Sequence, residues 1–312
     1  MNVGITGGSG FIGSYLLNYL MRKSDLRVKA IARTLSQSSD PFGGRVAWMK
    51  GDLNSPADCV DFVRDLDVVI HLAHTNTPLT SNRDFAGDAQ ANLTPSLNLL
   101  KAIKDAKHCP HLIYSSSGGA VYGLANGSRR ESFKETDACI PTTSYGIQKL
   151  TFESYLRMAA NENWIHATAL RIGNPYGVLL PPERMQGFIG VALHQISRKQ
   201  PIKVFGDPGN IRDYIHLEDL CGFFLRILGA KESFRIYNVG SGEGYSVDEI
   251  LNLLEGITGS KVVRETFQYS ESDKRLAPWI VLSVEKAAAE LGWKPATELV
   301  EGLRALYHHS CS

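Results

Sequence analysis

Short apolar runs alternate with segments of helical periodicity through the first half of this 312-residue chain. Apolar positions at helical spacing predict helices, notably Tyr15–Leu20, Asn92–Ala106 and Tyr145–Asn161. Strands that alternate with helices are typical of an α/β fold built on a doubly wound parallel sheet. The runs that predict strands are Met1–Thr6, Val28–Ala32, Val46–Lys50, Asp67–Ala73, His111–Ser115 and Ala167–Arg171.

The pattern becomes irregular after Asn174, where prolines and glycines interrupt shorter, mixed elements. We therefore expect two domains. Residues 1–174, with a returning segment near 205–230, form the first, and residues 175–312 mainly form the second. The second domain is expected to be a smaller, discontinuous lobe at the carboxyl ends of the strands, where open sheets bind ligands.

Composition narrows the functional classes. The formal net charge is +1, which argues against a nucleic-acid-binding surface as the main function. No apolar run approaches the roughly 20 residues that a membrane span requires, and no secretory signal pattern is present. The cysteines are scattered and form no CxxC pair, so they indicate reduced thiols in a cytoplasmic protein and no metal site. They are Cys59, Cys109, Cys139, Cys221 and Cys311.

Glycine spacing marks the junction between the first predicted strand and the first helix. Gly7, Gly10 and Gly13 lie between Met1–Thr6 and Tyr15–Leu20. At such a junction Gly7 permits a sharp turn, Gly10 lets the backbone approach a pyrophosphate, and Gly13 lets the helix lie close to the strand. The N–H groups and the dipole of the helix then face the anion. The motif predicts a dinucleotide site, with a plain turn as the alternative.

A tyrosine and a lysine are spaced to share one face of a helix. Tyr145 and Lys149 are four residues apart in the predicted helix, so the phenol and the ammonium group lie side by side. A nearby cation stabilises a phenolate and lowers the tyrosine pKa toward the working pH. We therefore expect acid–base chemistry at Tyr145, although this spacing is also common by chance on surface helices.

Hydroxyl groups cluster at the end of the predicted strand that contains Tyr114. Ser115, Ser116 and Ser117 follow it directly and open into a glycine-rich loop. Hydroxyl groups at the carboxyl end of a strand can contact a ligand oxygen, and a solvated serine-rich turn is the alternative. The glycine loop, the serines and the Tyr/Lys pair in this order are hard to attribute to chance.

These motifs resemble those of the extended short-chain dehydrogenase/reductase family, and within it the NAD-dependent nucleotide-sugar epimerases and dehydratases. The resemblance covers nearly the whole chain and implies a Rossmann-type dinucleotide-binding domain with a smaller substrate lobe. It is closest to the UDP-glucose/UDP-N-acetylglucosamine 4-epimerase-like group, through residues 115–123 and 186–193. Further matching segments are Gly51–Leu53, His71–Ala73, Asn92, Arg171–Gly177 and Arg212–His216.

The resemblance implies a set of cofactor contacts. The residues after the third strand would flank the adenine, and those after the fourth would line the path from the pyrophosphate to the nicotinamide. Asn92 would be a polar support, and Lys149 would hydrogen-bond the nicotinamide ribose and lower the pKa of Tyr145. The implied cofactor residues are Gly7, Gly10, Phe11, Ile12, Gly13, Arg33, Asp52, Leu53, Leu72, Ala73, Asn92, Tyr145 and Lys149.

The resemblance also implies substrate contacts. Ser117, with Ser116 as the second choice, would hydrogen-bond the reacting sugar hydroxyl. This loop has one residue more than the Ser-Ser-Ser-Ala-Thr-Val-Tyr-Gly pattern of relatives, so the choice between the serines stays open. Asn174 would contact the sugar diphosphate, and Arg212 would pair with a phosphate. An ion pair with a neighbouring acid is the alternative for Arg212.

Two positions depart from the family's pattern. NAD-binding relatives usually carry an acid at the end of the second strand, where this chain has Ala32 followed by Arg33. An arginine without that acid can accommodate a 2′-phosphate, so NADP stays possible beside the favoured NAD. The arginine that relatives place before Leu282 falls by count on Asp273, and Arg275 is the nearest replacement.

The favoured function is a 4-epimerase that acts on a UDP-hexose or UDP-N-acetylhexosamine through a transient 4-keto sugar. An NADPH-dependent reductase of a nucleotide-linked 4-keto-6-deoxy sugar is the main alternative, and a non-catalytic dinucleotide sensor is a third. A 4,6-dehydratase is disfavoured because Gly118 and Gly119 stand where such relatives place an Asp-Glu pair. The resemblance further implies a homodimer through a helix bundle formed by Asn92–Ala106 and Tyr145–Asn161, with no membrane insertion.

Overall fold

A computed structural model describes residues 1–35, 42–77, 80–108, 110–124, 130–181, 187–267 and 277–311. The chain divides into two compact units. The first unit comprises Met1–Val121, Thr143–Arg171 and Phe224–Tyr237, and the second comprises Tyr122–Thr142, Ile172–Phe223 and Asn238–Ser312.

The secondary structure begins as an alternation of strands and helices and continues in shorter elements. In chain order the strands are β1 (Asn2–Thr6), β2 (Arg27–Ala32), β3 (Val46–Lys50), β4 (Val68–His71), β5 (His111–Ser117), β6 (His166–Ile172), β7 (Asn174–Tyr176), β8 (Ile202–Phe205), β9 (Ile211–His216), β10 (Phe234–Val239), β11 (Gly244–Ser246), β12 (Arg264–Phe267) and β13 (Trp279–Ile280). The helices are α1 (Phe11–Lys23), α2 (Pro56–Val63), α3 (Phe85–Ala106), α4 (Gly118–Val121), α5 (Ser144–Asn161), α6 (Phe188–Ser197), α7 (Leu217–Ile227), α8 (Val247–Thr258), α9 (Glu285–Leu291) and α10 (Leu299–Cys311). A 3-10 turn, Ser81–Arg83, precedes α3.

Seven strands form one sheet in the order β10-β6-β5-β4-β1-β2-β3. The pairs β1–β2, β1–β4, β2–β3 and β4–β5 are parallel, and the chain reverses its direction of travel across the sheet after β3. The predicted doubly wound α/β fold is confirmed. Strand β4 is shorter than predicted, because residues 72–77 leave the sheet as a loop. The predicted glycine loop after β5 begins with the short helix α4.

An apolar core packs α2, α3 and α5 against the sheet of the first unit. Phe62, Leu99, Phe152 and Leu156 are at most 1% exposed, and each such side chain contributes about 1.5–3 kcal/mol by burial. Three further leucines of α3 pack in or against this core. These are Leu93, Leu97 and Leu100.

The second unit is built from shorter elements. Strand β9 pairs with β7, β11 and β13, and β8 pairs in parallel with β12. A separate core buries side chains of α6, α8 and α10, among them Ile189, Leu251 and Leu303. Within the part of the chain that the structure describes, no helix combines the length and the apolarity needed to cross a membrane.

Candidate active site

The glycine loop between β1 and α1 has no room for side chains. Gly7 has a φ of +73°, and a Cβ there would lie 2.7 Å from the backbone nitrogen of Ala73. A Cβ on Gly13 would collide with the carbonyl oxygen of Gly7. Gly10 is the N-cap of α1 and provides no side-chain cap. The first N–H groups of a helix have no intrahelical partner, so this cradle fits a pyrophosphate.

The other predicted cofactor residues follow neighbouring strands of the same sheet. Leu72 and Ala73 leave β4 and lie against Gly7. Beyond β3, Leu53 is buried and the backbone N–H of Asp52 donates to a carboxylate of α2. Arg33 follows β2 and is exposed. The first unit therefore brings these residues to the carboxyl ends of β1, β2, β3 and β4.

Strand β4 ends in a buried histidine for which the sequence predicts no role. His71 is 1% exposed, its Nδ1 lies 2.7 Å from Thr6 Oγ1, and its Nε2 lies 2.9 Å from Ser96 Oγ. Since the Ser96 hydroxyl donates to the Asn92 carbonyl at 2.7 Å, we assign the proton of His71 to Nε2 and the acceptor role to Nδ1. Burial and the charge of Lys149 lower the pKa of His71 to about 3, so its ring is neutral.

The side chain of Asn92 fixes the loop that carries Leu72 and Ala73. Its Oδ1 accepts hydrogen bonds from the N–H (2.8 Å) and the hydroxyl (3.0 Å) of Thr75. Its Nδ2 donates to Asp88 Oδ1 at 2.9 Å. The predicted polar support thus connects this loop to α3.

Side chains from the preceding segments hold the first turn of α5. Thr143 caps the helix with its hydroxyl. The backbone N–H of Ser144 donates to Asn82 Oδ1 at 2.7 Å, and that of Tyr145 donates to Ser81 Oγ at 3.1 Å. These bonds satisfy N–H groups that a helix leaves without partners, and they fix the backbone of Tyr145.

A buried carboxylate on α3 adds a second set of bonds to the start of α5. Asp88 is 1% exposed. Its Oδ2 accepts from Ser144 Oγ at 2.7 Å and from Gln148 Nε2. Its Oδ1 accepts from Asn76 Nδ2 at 2.7 Å and from Asn92 Nδ2 at 2.9 Å. Asp88 therefore joins α3, α5 and the loop after β4 through neutral donors.

Tyr145, Lys149 and Ser117 come together at the ends of β5 and α5. The Ser117 side chain interacts with the phenol of Tyr145 and lowers its pKa. The Nζ of Lys149 lies 5.4 Å from the centre of the Tyr145 ring and donates to the Ser115 carbonyl at 2.7 Å. The structure thus assembles the three side chains that the sequence predicts for proton transfer.

The pKa values of this cluster differ from the expectation. Burial raises the pKa of Tyr145 to about 12, and the hydrogen bond from Ser117 only partly offsets it. The expected lowering by Lys149 is wrong for this structure, because desolvation of the phenolate dominates. Burial also lowers the pKa of Lys149 to about 7, against the opposing charge of Glu153. The phenol is neutral, and the lysine is close to half-protonated at neutral pH.

The two candidate serines face different partners. The hydroxyl of Ser116 donates to Glu153 Oε1, and Glu153 pairs with Arg171 at 2.8 Å. Both side chains of that ion pair are 4% exposed. Ser117 instead meets Tyr145. The spacing of Glu153, four residues after Lys149, is the sequence signal that could have identified it.

Two predicted substrate residues of the second unit, Asn174 and Arg212, donate to backbone carbonyls near another buried acid, Asp213. Asn174 Nδ2 donates to the Asp213 carbonyl at 3.0 Å, and Arg212 Nη1 donates to the Ile211 carbonyl at 2.7 Å. The carboxylate of Asp213 is buried, which raises its pKa. Arg275 lies outside the described residues. The backbone N–H groups that donate to Asp213 belong to Ser241, Gly242 and Leu282.

Cysteines and metal-ligating clusters add no second centre within the described ranges. Cys59, Cys139 and Cys221 form no disulfide bonds, whereas Cys109 lies outside these ranges. Among the described residues, no group of three or more His, Cys, Asp or Glu side chains could hold a metal ion.

Comparison with known proteins identifies the family. The model of the NAD dependent epimerase/dehydratase family matches residues 3–240. The chain is 30% identical to dTDP-4-dehydro-6-deoxyglucose reductase of Escherichia coli, over 97% of this chain and 95% of that protein. UDP-glucose 4-epimerase of Thermus thermophilus, in complex with NAD, superposes with a TM-score of 0.87 at 29% identity, over 99% of this chain and 98% of that chain. UDP-glucose 4-epimerase of Thermotoga maritima, in complex with UDP-glucose, superposes with a TM-score of 0.88 at 28% identity, over 100% of this chain and 99% of that chain. The chain belongs to the NAD dependent epimerase/dehydratase family.

Proposed function

We propose that this protein is an NAD-dependent nucleotide-sugar 4-epimerase that acts on a UDP-hexose or UDP-N-acetylhexosamine. The observation that carries the proposal is the convergence of three side chains: the phenol of Tyr145 interacts with Ser117, and the buried Lys149 lies one helical turn away with its Nζ 5.4 Å from the centre of the Tyr145 ring. This cluster lies in the same unit as the glycine cradle. Similar structures of UDP-glucose 4-epimerases with NAD or UDP-glucose support the choice of reaction and substrate class.

In this proposal Tyr145, Ser117 and Lys149 carry out the proton transfer. Tyr145, in its phenolate form, accepts the proton of the sugar C4 hydroxyl, and Ser117 hydrogen-bonds the same oxygen. Protonated Lys149 stabilises the phenolate that this transfer requires. A bound nicotinamide dinucleotide supplies reversible hydride acceptance, so that C4 passes through a ketone without net oxidation of the sugar. Tyr145 returns its proton after the keto sugar has exposed its other face.

The residues that would bind the cofactor and the sugar nucleotide are proposed from their positions and the chemistry of their side chains. Gly7, Gly10 and Gly13 would hold the cofactor pyrophosphate, with Phe11 and Ile12 in the first turn of α1. The residues at the ends of β2, β3 and β4 would line the rest of the dinucleotide. In the second unit, Asn174 and Arg212 would bind the sugar diphosphate, which a guanidinium group suits.

The test begins with the purified protein. Denaturation should release bound NAD, and UDP-glucose or UDP-N-acetylglucosamine should yield its C4 epimer, detected by NMR. Absorbance of reduced nicotinamide should not accumulate, because the reaction has no net redox change. Failure to epimerise either sugar with added NAD would contradict the proposal.

The two serines provide a matched pair of variants for the same assay. Ser117→Ala should lower turnover about tenfold or more, since a hydrogen bond to a developing charge contributes about 1.5–3 kcal/mol. Ser116→Ala should retain most of the activity, because its hydroxyl faces Glu153. The reverse ranking would assign the reaction to Ser116.

A reductase is the second candidate, and two observations favour it. The similar Escherichia coli protein is a dTDP-4-dehydro-6-deoxyglucose reductase, and the exposed Arg33 follows a strand that ends without an acid. Such an enzyme would use Tyr145 as a proton donor to the C4 oxygen while NADPH is consumed stoichiometrically. Oxidation of NADPH with a nucleotide-linked 4-keto-6-deoxy sugar, together with no epimerisation, would establish this alternative.

We also propose a homodimer through α3 and α5. Exposed apolar side chains lie along α5, with Ile147 52% exposed and Met158 42% exposed. Phe85, at the start of α3, is also exposed. Sedimentation should give a dimer that Ile147→Glu weakens, whereas a monomeric wild-type protein would reject the interface.

A further inference from the structure

The loop after β4 carries a second histidine, His74, three residues beyond His71. The N–H groups of both its chain neighbours are held by side chains. Ala73 N–H donates to Thr6 Oγ1 at 3.2 Å, and Thr75 N–H donates to Asn92 Oδ1 at 2.8 Å. The backbone therefore fixes the place of the imidazole.

The ring of His74 packs edge-on against the proposed proton-transfer residue. The ring centres of His74 and Tyr145 are 4.7 Å apart, with an angle of 87° between the ring planes. This arrangement is favourable for aromatic rings. It places His74 beside the phenol that would react with the C4 hydroxyl.

One nitrogen of His74 has no hydrogen-bond partner in the described part of the chain. Its Nε2 is buried and lacks a partner there, whereas both nitrogens of His71 are paired. A buried polar atom without a partner costs about 1–3 kcal/mol. Strand β4 thus ends in a histidine with both nitrogens paired, whereas the loop after it carries a histidine with an unused nitrogen, and the ring of this second histidine packs against Tyr145.

The imidazole of His74 is neutral. Burial lowers its pKa to about 2, with smaller contributions from the charges of Lys149 and His71. A neutral imidazole has one donor and one acceptor nitrogen. It can therefore hydrogen-bond a hydroxyl group in either direction without adding a charge beside Lys149.

We propose that His74 is a ligand-binding residue of the reaction site, whose Nε2 hydrogen-bonds a hydroxyl group of the bound hexose or of the cofactor's nicotinamide ribose. This inference rests on the proposed function, since both hydroxyl-bearing ligands come from it. The two sources share one chemistry, and separate binding measurements distinguish them.

Two substitutions of His74 distinguish the contribution of its Nε2 hydrogen bond from the contribution of ring packing. His74→Phe retains a ring that can pack against Tyr145 and removes the nitrogen, whereas His74→Gln retains a hydrogen-bonding group without the ring. Melting temperatures close to wild type would establish that both variants fold. Calorimetry then measures binding of NAD+, with ADP as the probe that lacks the nicotinamide ribose. It also measures binding of UDP-glucose to the NAD+-loaded protein, with UDP as the probe that lacks the hexose.

His74→Phe should weaken binding of either NAD+ or UDP-glucose about three- to tenfold, the value of one hydrogen bond. Binding of the matching short probe should not change, and His74→Gln should recover part of the loss. Unchanged binding of both NAD+ and UDP-glucose by His74→Phe would overturn the inference. If the wild-type protein binds neither, both the inference and the proposed function are wrong.

Discussion

Asp88 and Glu153 are both buried carboxylates beside the segment of α5 that carries Tyr145 and Lys149. Asp88 contacts the start of α5 from α3, whereas Glu153 lies on α5 itself, four residues after Lys149. The side chains that donate to Asp88 are uncharged, namely Ser144, Gln148, Asn76 and Asn92. Glu153 accepts from the Arg171 guanidinium group as well as from Ser116.

The different partners of the two acids give them different roles: Asp88 positions a side chain, and Glu153 affects the charge of one. The bonds of Asp88 tie the first turn of α5 to α3 and so fix where Tyr145 lies. Glu153 raises the pKa of Lys149 against the larger effect of burial, so it helps to keep the ammonium protonated. The same kind of side chain therefore positions one reacting group and tunes the other.

The largest effect on turnover is expected from substitution of Tyr145, because Asp88 positions this residue and Glu153 tunes the neighbouring Lys149. Tyr145→Phe removes only the hydroxyl, so the protein should fold normally while turnover falls by about 10²–10⁴-fold, the usual contribution of acid–base catalysis. Steady-state kinetics with UDP-glucose and a thermal melt measure the two outcomes. Wild-type turnover in this variant would remove Tyr145 from the reaction.

Next in size is the effect of Glu153→Gln on stability. It removes the carboxylate charge that lies 2.8 Å from the buried Arg171 guanidinium group, and breaking such a buried pair costs about 3–5 kcal/mol. Urea unfolding should show this loss, and Arg171→Met combined with Glu153→Leu should restore part of it. If the folded variant is active, the pKa of Lys149 should also fall, seen as an acid shift in the pH–rate profile. Stability equal to wild type would contradict the role assigned to the ion pair.

Asp88→Asn should lower stability less than Glu153→Gln does, and it should do so through lost hydrogen bonds to neutral donors. One carboxylate oxygen becomes an NH2 group, so two donors lose their acceptor at about 1 kcal/mol each or somewhat more. We expect a loss of about 2–3 kcal/mol in the free energy of unfolding and a lower turnover. The midpoint of the pH–rate profile should stay in place, and a shift as large as that of Glu153→Gln would remove the distinction between the two acids.

The last effect is a pH dependence of stability that Lys149 contributes. Its pKa is about 7 in the folded protein, below the ordinary value of 10.5. Between these values the unfolded chain binds the extra proton, so this contribution to the free energy of unfolding increases with pH. From about pH 7 to about pH 9.5 the wild-type protein should gain stability relative to Lys149→Met in parallel urea titrations. Equal slopes would show that Lys149 titrates normally.

Local rules predicted the elements of the first unit because each depends on neighbours in sequence. Alternation located the strands, and the four-residue spacing brought Lys149 next to Tyr145. Partners that are distant in sequence could not be found this way. Ser81 and Asn82 bind the start of α5 from positions more than 60 residues earlier in the chain, and no periodicity indicates such contacts.

The pKa of Tyr145 was predicted in the wrong direction for a similar reason. Spacing reveals the neighbouring charge of Lys149, but the depth of burial depends on how the whole unit packs. Desolvation proved the larger effect. The proposal of Ser117 rather than Ser116 also rests on the fold, because the hydroxyl of Ser116 donates to Glu153.

The hydrogen-bonded series from Thr6 through His71 to Ser96 has an evolutionary consequence. Replacement of Thr6 by valine would preserve volume, but it would leave His71 Nδ1 without a donor and the Ala73 N–H without its acceptor. A change at one position therefore becomes tolerable only when the others change with it. Across relatives of this chain, Thr6, His71 and Ser96 should be inherited as a unit and replaced as a unit.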